Sequence, residues 1–351
     1  MPDTPVSAPK LKAFVVEVLE KVGISSEDAQ TTAEILVTTD MRGTRTHGVR
    51  LLKWYVDQIQ QGGVNRKARM EIVRSGPTWA LVDGQAALGE VTAYKSMKLA
   101  MAKAKENFIG VVGVRNSNHF GAAGYYANMC LEQDMIGFAM TNADPTMSVP
   151  GAAARLFGTN PLAYAFPADN EEKGLTFDAA TSVVAGVKVH QAAREGRRIP
   201  EGWIIDRHGR PTSDPTDLEK GGAHLPVGGH KGYGLAFMIE VLTGALTGSG
   251  VMDEVFSYVQ YPERSCNSGH FFMAIDVGTF IPVAEFKARL DAMAQKIRNS
   301  PKVEGVKRIY VPGEIEAEEQ EKGRVRGVLL DETTLSDLKQ VADALLIDWP
   351  E

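Results

Sequence analysis

Two histidines stand in glycine-flanked turns, and each has neighbours suited to acid–base chemistry. His47 lies in Arg42-Gly-Thr-Arg-Thr-His-Gly-Val-Arg50, with the Thr46 hydroxyl beside it and Arg45 and Arg50 close in sequence. A histidine titrates near neutral pH and can pass a proton in either direction. A threonine can hold a hydrogen bond there, and an arginine can meet a carboxylate. His119 opens a second turn, His119-Phe-Gly-Ala-Ala, followed downstream by Asn142, Asp144 and Pro145 and then by Gly158-Thr-Asn-Pro161. Glycines and polar turn residues in such density suit a backbone that approaches a ligand closely, although any one of them also fits an ordinary turn. A third stretch, Leu225-Pro-Val-Gly-Gly-His-Lys-Gly-Tyr-Gly234, precedes an apolar helix. Lys231 near a helix N-terminus reads either as a seat for phosphate or carboxylate or as a solvent-facing lysine on a glycine turn.

The elements that must position these residues alternate between helix and strand. Leu11, Phe14, Val15, Val18 and Leu19 have helical spacing. Ser25 is placed to cap a second helix that runs to about Met41, and Leu51, Leu52, Tyr55 and Ile59 continue a third. Residues 70–74 and 80–83 read as short strands, 86–107 as a helix, 109–114 as a strongly apolar strand and 115–119 as the loop that leaves it. A helix over 122–133, with Met129 and Cys130 packed, and a strand over 136–141 follow. This alternation argues for an α/β sheet with ligands beyond strand ends, where both His119 and Asn142 fall. Further on, 169–174 reads as a hairpin turn, 175–178 as a strand and 184–195 as a helix. Residues 211–225 read as a long surface loop, 235–246 as an apolar helix, and 271–277 as a strand at a sheet edge. An amphipathic helix over 283–297, a strand or extended segment at 306–311, a solvated charged run at 318–326 and a last helix at 335–346 complete the chain.

Composition limits the function classes. The chain has 351 residues, long enough for two or more domains. Its 44% apolar and 23% charged residues are those of an ordinary globular protein. A formal net charge of −6 gives no support for a nucleic-acid surface. No apolar run has the length of a membrane span, and no signal-peptide core opens the chain. Only two cysteines occur, which fits cytoplasmic chemistry without a disulfide framework. No residue spacing requires a metal. A cysteine hydrolase built on Cys130 is disfavoured because that residue lies inside an apolar helix. The G-x-G-x-x-G fingerprint of Rossmann dinucleotide binding is absent.

In order along the chain, Thr46-His-Gly48, Asn118-His-Phe-Gly121, Thr141-Asn142, Gly158-Thr-Asn-Pro161, Asp178-Ala-Ala-Thr181, Lys231-Gly-Tyr-Gly234 and Pro312-Gly-Glu314 form a set. The set resembles the malate/L-lactate dehydrogenase family, which lacks a Rossmann domain. That family includes L-sulfolactate and ureidoglycolate dehydrogenases, diketogulonate reductase and cyclic imine reductases. The resemblance covers roughly residues 8–345. It implies an α/β, non-Rossmann nicotinamide-binding domain at 76–282 and a helical domain formed by both chain ends, 1–75 together with 283–351. It implies a homodimer that transfers a hydride between a 2-hydroxy acid of the malate, lactate or sulfolactate type and its 2-oxo acid, using NAD or NADP. An NADPH-dependent cyclic imino acid reductase and a ureidoglycolate dehydrogenase are the alternatives.

The same resemblance gives the proton donor/acceptor role to His47 or His119, and the chemistry of hydride transfer adds Thr46, Arg50 and Asp178 as catalytic candidates. The resemblance assigns cofactor contacts to His119, Phe120, Gly121, Ala122, Asn142, Thr159, Asp178, Ala179, Ala180, Lys231, Gly313 and Glu314. The residues depart from the family pattern once. Members commonly carry arginine four places after the first histidine, where Leu51 stands here, and Arg50 sits one place earlier. On a helix that moves the side chain by about 100°.

Overall fold

The computed structural model describes residues 3–169 and 174–350, so most of the turn expected at 169–174 lies outside the described residues. The chain opens with β1 (Thr4–Val6), α1 (Ala8–Lys21), α2 (Ser26–Met41) and α3 (Leu52–Gln61). Next come β2 (Glu71–Ser75), β3 (Trp79–Asp83), α4 (Gly89–Asn107), β4 (Ile109–Ser117), α5 (Ala123–Met129) and β5 (Met135–Thr141). The middle holds β6 (Leu162–Phe166), β7 (Leu175–Ala179), α6 (Gly186–Arg194), β8 (Ile204–Ile205), β9 (Pro211–Thr212), β10 (Ala223–His224) and α7 (His230–Glu240). The chain closes with β11 (Ser268–Asp276), α8 (Val283–Arg298), α9 (Glu314–Arg326), β12 (Val328–Leu330) and α10 (Glu332–Leu345).

The fold is mixed α/β. One seven-stranded sheet runs β2-β3-β4-β11-β5-β6-β7. Only β3 and β4 pair in parallel, as the crossover through α4 requires; every other neighbour is antiparallel. The strand expected at a sheet edge is instead the central strand β11. Phe272 sits opposite both Val112 and Ala139, and His270, Phe272 and Ala274 have no exposed surface. An edge strand has one unpaired side; this one is hydrogen-bonded along both and covered by helices. Its position was hidden because the chain reaches it only after a long excursion from β5, and chain order says little about sheet order across such a gap.

Helices close on the sheet through small residues. On α4, Ala93, Ala100 and Ala104 are fully buried, and a methyl group added at Gly110 of β4 would stand 1.9 Å from the Ala100 carbonyl oxygen. Gly137 of β5 serves α5 in the same way, at 2.3 Å from the Ala127 carbonyl oxygen. β4 runs through Ser117, past the expected end at 114, so His119 leaves the sheet two residues beyond the last paired position.

Both chain ends build one helical layer. Leu11, Phe14, Val15, Val18 and Leu19 of α1 share a core with Leu36, Leu52, Ile59, Leu338 and Val341. Each fully buried side chain of this kind contributes about 1.5–3 kcal/mol. β1 and β12 pair antiparallel and tie the two ends together. Ser25 caps α2 by accepting from the Asp28 N–H. Helix α8 packs elsewhere, with Leu290 and Ala294 against Leu175 and Val311. β2 belongs to the main sheet. Residues 306–311 form no strand, and the charged run from 318 lies within α9. The stretch at 211–225 is not a plain loop: β9 and β10 flank β8 in a small antiparallel sheet, with Asp214 capping a turn between them.

Gly110→Ala is expected to lower the urea midpoint by the equivalent of about 1–3 kcal/mol or more, because backbone rather than a movable side chain blocks the added methyl. An unchanged midpoint would show that α4 is free to lift from the sheet.

Candidate active site

The turn carrying His47 is held by a buried acid. Asp40, in the last turn of α2, accepts the Val49 N–H at 2.7 Å. Gly48 lies so close that an added Cβ would come within 2.1 Å of the Asp40 carboxyl, so no other residue fits without moving the turn. Burial pushes the Asp40 pKa up to about 7, against lowering by the Val49 hydrogen bond. The Thr46 hydroxyl meets His47 Nδ1 at 2.8 Å.

His119 reaches the same place from the sheet. Asn118 clamps its loop: its oxygen accepts from Gln58 at 3.1 Å and from the Cys266 N–H at 2.7 Å, and its amide donates to the carbonyls of Ala86 and Ala87. Tyr55 Oη lies 2.7 Å from His119 Nδ1, and the Gly121 N–H approaches the same nitrogen at 3.4 Å. The His47 and His119 rings stack with centroids 5.8 Å apart, and Tyr258 lies 4.7 Å from His119 on another side. Burial pushes His47 down to about 4 and His119 down to about 3, the latter helped by the charges of His47 and His270. Both rings are therefore neutral at pH 7. Each has its Nδ1 engaged, which leaves Nε2 to face a reacting group.

Arg50 and Leu51 part company at the start of α3. Leu51 is 2% exposed and belongs to the helical core. Arg50 stacks over Trp54 at 5.8 Å, its guanidinium lies 3.9 Å from Asp331, and its charge acts on Tyr258. Its Nε is buried without a hydrogen-bond partner, a donor that a substrate carboxylate would satisfy. Arg45 is paired with Asp3 at the surface.

The remaining sequence-derived residues divide. Asp178 accepts the Gly124 N–H at 2.7 Å in the first turn of α5, and burial lifts it to about 6 while Arg42 lowers it. That bond ties it to the helix end rather than to a histidine ring. Phe120 is fully buried and stacks on His270 at 4.7 Å. Gly121 takes a φ of +74, and Ala122 leads from it into α5. The Asn142 side chain is spent on backbone: it donates to Gly250 O at 2.8 Å and accepts from Gly269 N at 2.9 Å. The Thr159 carbonyl accepts from Thr181, just beyond Ala179 and Ala180 at the end of β7. Gly313 has a φ of +88 and sits where a Cβ would be 2.7 Å from Thr176 N. Glu314 is an ion-pair node with Arg298 and Arg308, and it accepts the Val311 N–H. The structure thus brings Thr46, His47, Arg50 and His119 together, and shows structural duties for Asp178, Asn142, Phe120 and Glu314.

Sequence reasoning passed over Tyr55, Tyr258, Asn118 and Glu90 as individual site residues. Tyr55 falls at a core position of α3, and nothing local marks Tyr258. Among the described residues, no three His, Cys, Asp or Glu side chains gather as metal ligands, and no helix is long and apolar enough to cross a membrane.

A nicotinamide dinucleotide fits features of the chain. Helix α7 starts at His230, earlier than the spacing suggested, behind Gly228 and Gly229, both with positive φ. Its N-cap has no side chain, Gly229 is open to space, and Lys231 stands exposed in the first turn. Such an end offers backbone N–H groups and an ammonium to a pyrophosphate. Neutral imidazoles, an arginine whose buried Nε has no hydrogen-bond partner and an open helix end are groups of the kind a dehydrogenase uses.

The family model described as malate/L-lactate dehydrogenase matches residues 6–339. A malate dehydrogenase of Pyrococcus horikoshii is 43% identical over 340 residues, covering 95% of this chain and 93% of its own. An L-sulfolactate dehydrogenase of Methanocaldococcus jannaschii is 39% identical over 334 residues, covering 95% of each. The crystal structure of a malate dehydrogenase from Entamoeba histolytica superposes with a TM-score of 0.94 at 33% identity, over 99% of this chain and 100% of that one. The chain belongs to the malate/L-lactate dehydrogenase family. It is a hydride-transferring oxidoreductase of the 2-hydroxy acid/2-oxo acid type.

The Asp40 latch makes stability depend on pH. Asp40 is raised when folded, so its contribution is fully present below its unfolded value near 3.8 and is lost as pH rises through about 7. Asp40→Asn keeps an acceptor for Val49 and removes the charge. Relative to the parent chain, its melting temperature should rise progressively between pH 4 and 7 and level off above, each pH unit in that window being worth at most about 1.4 kcal/mol. A difference independent of pH would contradict a buried, titrating Asp40.

Proposed function

We propose that the paired-histidine site interconverts a 2-oxo acid of the oxaloacetate, pyruvate or sulfopyruvate type and its 2-hydroxy acid, with NAD or NADP as cofactor. The observation that carries this reading is the buried, unpartnered Nε of Arg50 in the active-site cluster, whose rings lie 5.8 Å apart. A 2-oxo acid presents a carboxylate and a carbonyl oxygen on adjacent carbons, and the site offers a cation for the first and neutral imidazoles for the second. When bound, the nicotinamide supplies or accepts the hydride at the substrate's C2. His119 gives its Nε2 proton to the oxygen during reduction and takes it back during oxidation. His47, with Nδ1 held by Thr46, donates a second hydrogen bond to the same oxygen. Arg50, rather than residue 51, anchors the carboxylate.

The cofactor seat would be non-Rossmann. The missing glycine fingerprint and a sheet with one parallel pair both support that. Lys231 and the α7 N-terminus would take the pyrophosphate, with Gly313 lying under another part of the cofactor. The working unit would be a homodimer in the cytoplasm. Leu235, Phe237, Met238, Val241 and Leu246 are exposed along α7 and its continuation, an apolar surface suited to a second copy. Cys130 and Cys266 are unpaired, in keeping with a reducing compartment.

Absorbance at 340 nm tests the reading, with NADH and NADPH supplied separately against oxaloacetate, pyruvate, sulfopyruvate and a cyclic 2-imino acid. Oxidation with one of the 2-oxo acids is expected. His119→Ala should lower kcat by about 10²–10⁴-fold, and Arg50→Ala should act mainly on KM. Light scattering should return twice the mass of one chain. Turnover with the imino acid alone, or an Arg50→Ala variant indistinguishable from the parent, would overturn the assignment.

A further inference from the structure

Behind His119 lies a carboxyl group with no role in the reaction as described. Glu90, in the first turn of α4, has no exposed surface, and neither of its oxygens has a hydrogen-bond partner. A buried carboxylate in that state is costly. Three tyrosines feel its charge, Tyr55, Tyr126 and Tyr258. The Tyr126 hydroxyl is already given to the Phe120 carbonyl. Of the other two, the Tyr55 hydroxyl is the group that acts most strongly on Glu90 after burial itself. Tyr55 in turn sits 2.7 Å from His119 Nδ1. Tyr55 therefore stands between a buried acid that lacks a settled partner and the reacting imidazole.

We propose that Glu90, acting through the Tyr55 hydroxyl, sets which nitrogen of His119 carries the proton and stores the proton exchanged in turnover. This rests on the proton role given to His119 above. With Glu90 protonated, its O–H donates to Tyr55, Tyr55 donates to Nδ1, and His119 carries its proton on Nε2, ready for a carbonyl oxygen. With Glu90 ionised, Tyr55 donates to the carboxylate instead. Nδ1 then carries the proton and donates to the Tyr55 oxygen, and Nε2 is left bare to accept from an alcohol.

The balance in reduction is simple. A hydride from the reduced nicotinamide forms the C2–H bond, and the carbonyl π pair moves onto oxygen. The Nε2–H bond breaks as the substrate O–H forms. The Tyr55 proton moves to Nδ1, the Glu90 proton moves to Tyr55, and Glu90 is left as carboxylate. His119 is neutral before and after. That matters because burial holds it near 3, so an imidazolium there is disfavoured. Tyr55 lies far above the ordinary phenol value, so it releases a proton only as it takes another.

Burial lifts Glu90 to about 7, which puts its two states on either side of neutrality. The titratable groups around it are Tyr55 from α3, Tyr126 from α5, and Tyr258 and Cys266 from the segment before β11, the last two feeling its charge. Helix α2 faces the nearby Gly121 with Ile35. Among the described residues it has no arginine or lysine partner.

The test uses full-length protein labelled with ring-¹⁵N histidine. With seven histidines in the chain, the His119 signals can be assigned by their loss in His119→Gln. The parent should pass from the Nε2–H to the Nδ1–H pattern between pH 6 and 8. Glu90→Gln cannot ionise and should hold one pattern throughout. Tyr55→Phe breaks the path without touching the acid and should do the same. In the 340 nm assay, the parent's reduction rate should fall through that window, and that limb should vanish in Glu90→Gln. A parent ring that keeps one tautomer from pH 6 to 8, or variants that switch as the parent does, would overturn the proposal. The tautomer is read without cofactor or substrate, so absent turnover would count against the proposed substrates and leave this result standing.

Discussion

Two imidazoles held face to face in a site dry enough to keep them uncharged are the constraint on which the structure turns. Neither ring could reach the other from its own segment. His47 comes from the helical layer, and His119 comes from the end of β4. Their 5.8 Å stacking depends on Asn118, which pins the His119 loop between Gln58 of α3 and Cys266, and on Asp40, which holds the His47 turn. Desolvation then does the chemical tuning. It removes positive charge from the histidines and leaves them as directional hydrogen-bonding groups whose Nδ1 atoms are already committed.

The same desolvation acts on acids with different consequences. Asp40 spends its carboxyl on the backbone of the His47 turn, and Asp178 spends its own on the start of α5. Both are explained by local architecture. Glu90 is not, since its oxygens have no partner and its strongest neighbour is the phenol that touches His119. Three carboxyls thus separate into two that hold backbone and one that looks toward the chemistry.

Much of this was legible in the sequence, for identifiable reasons. The N-terminal helices announce themselves by helical spacing and the Ser25 cap. Strands such as β4 and β5 are dense apolar runs. The ordered glycine and histidine motifs carried the family resemblance over nearly the whole chain, and the family model spans residues 6–339. Pairing was much less legible. β11 looked like an edge strand because its neighbours lie more than a hundred positions away in sequence. The three-residue strands β1 and β12 gave no local signal, since their pairing joins opposite ends of the chain. At the site, His47 and His119 were visible from their turns, and Arg50 was visible as a departure from the family pattern. Tyr55 and Glu90 were hidden because a buried tyrosine and a first-turn glutamate look ordinary on any helix. Their significance lies in what they face, and that depends on the packing of α3 against the loop after β4.

The proposed function turns on direct hydride transfer beside this histidine pair. The most direct measurement follows deuterium from reduced nicotinamide labelled at C4 into product, read by proton NMR of the 2-hydroxy acid after a single turnover in ordinary water. Deuterium is expected at C2 from one face of the nicotinamide, with none washed into solvent. Deuterium lost to water, or product formed with hydrogen at C2 from either labelled face, would contradict direct transfer.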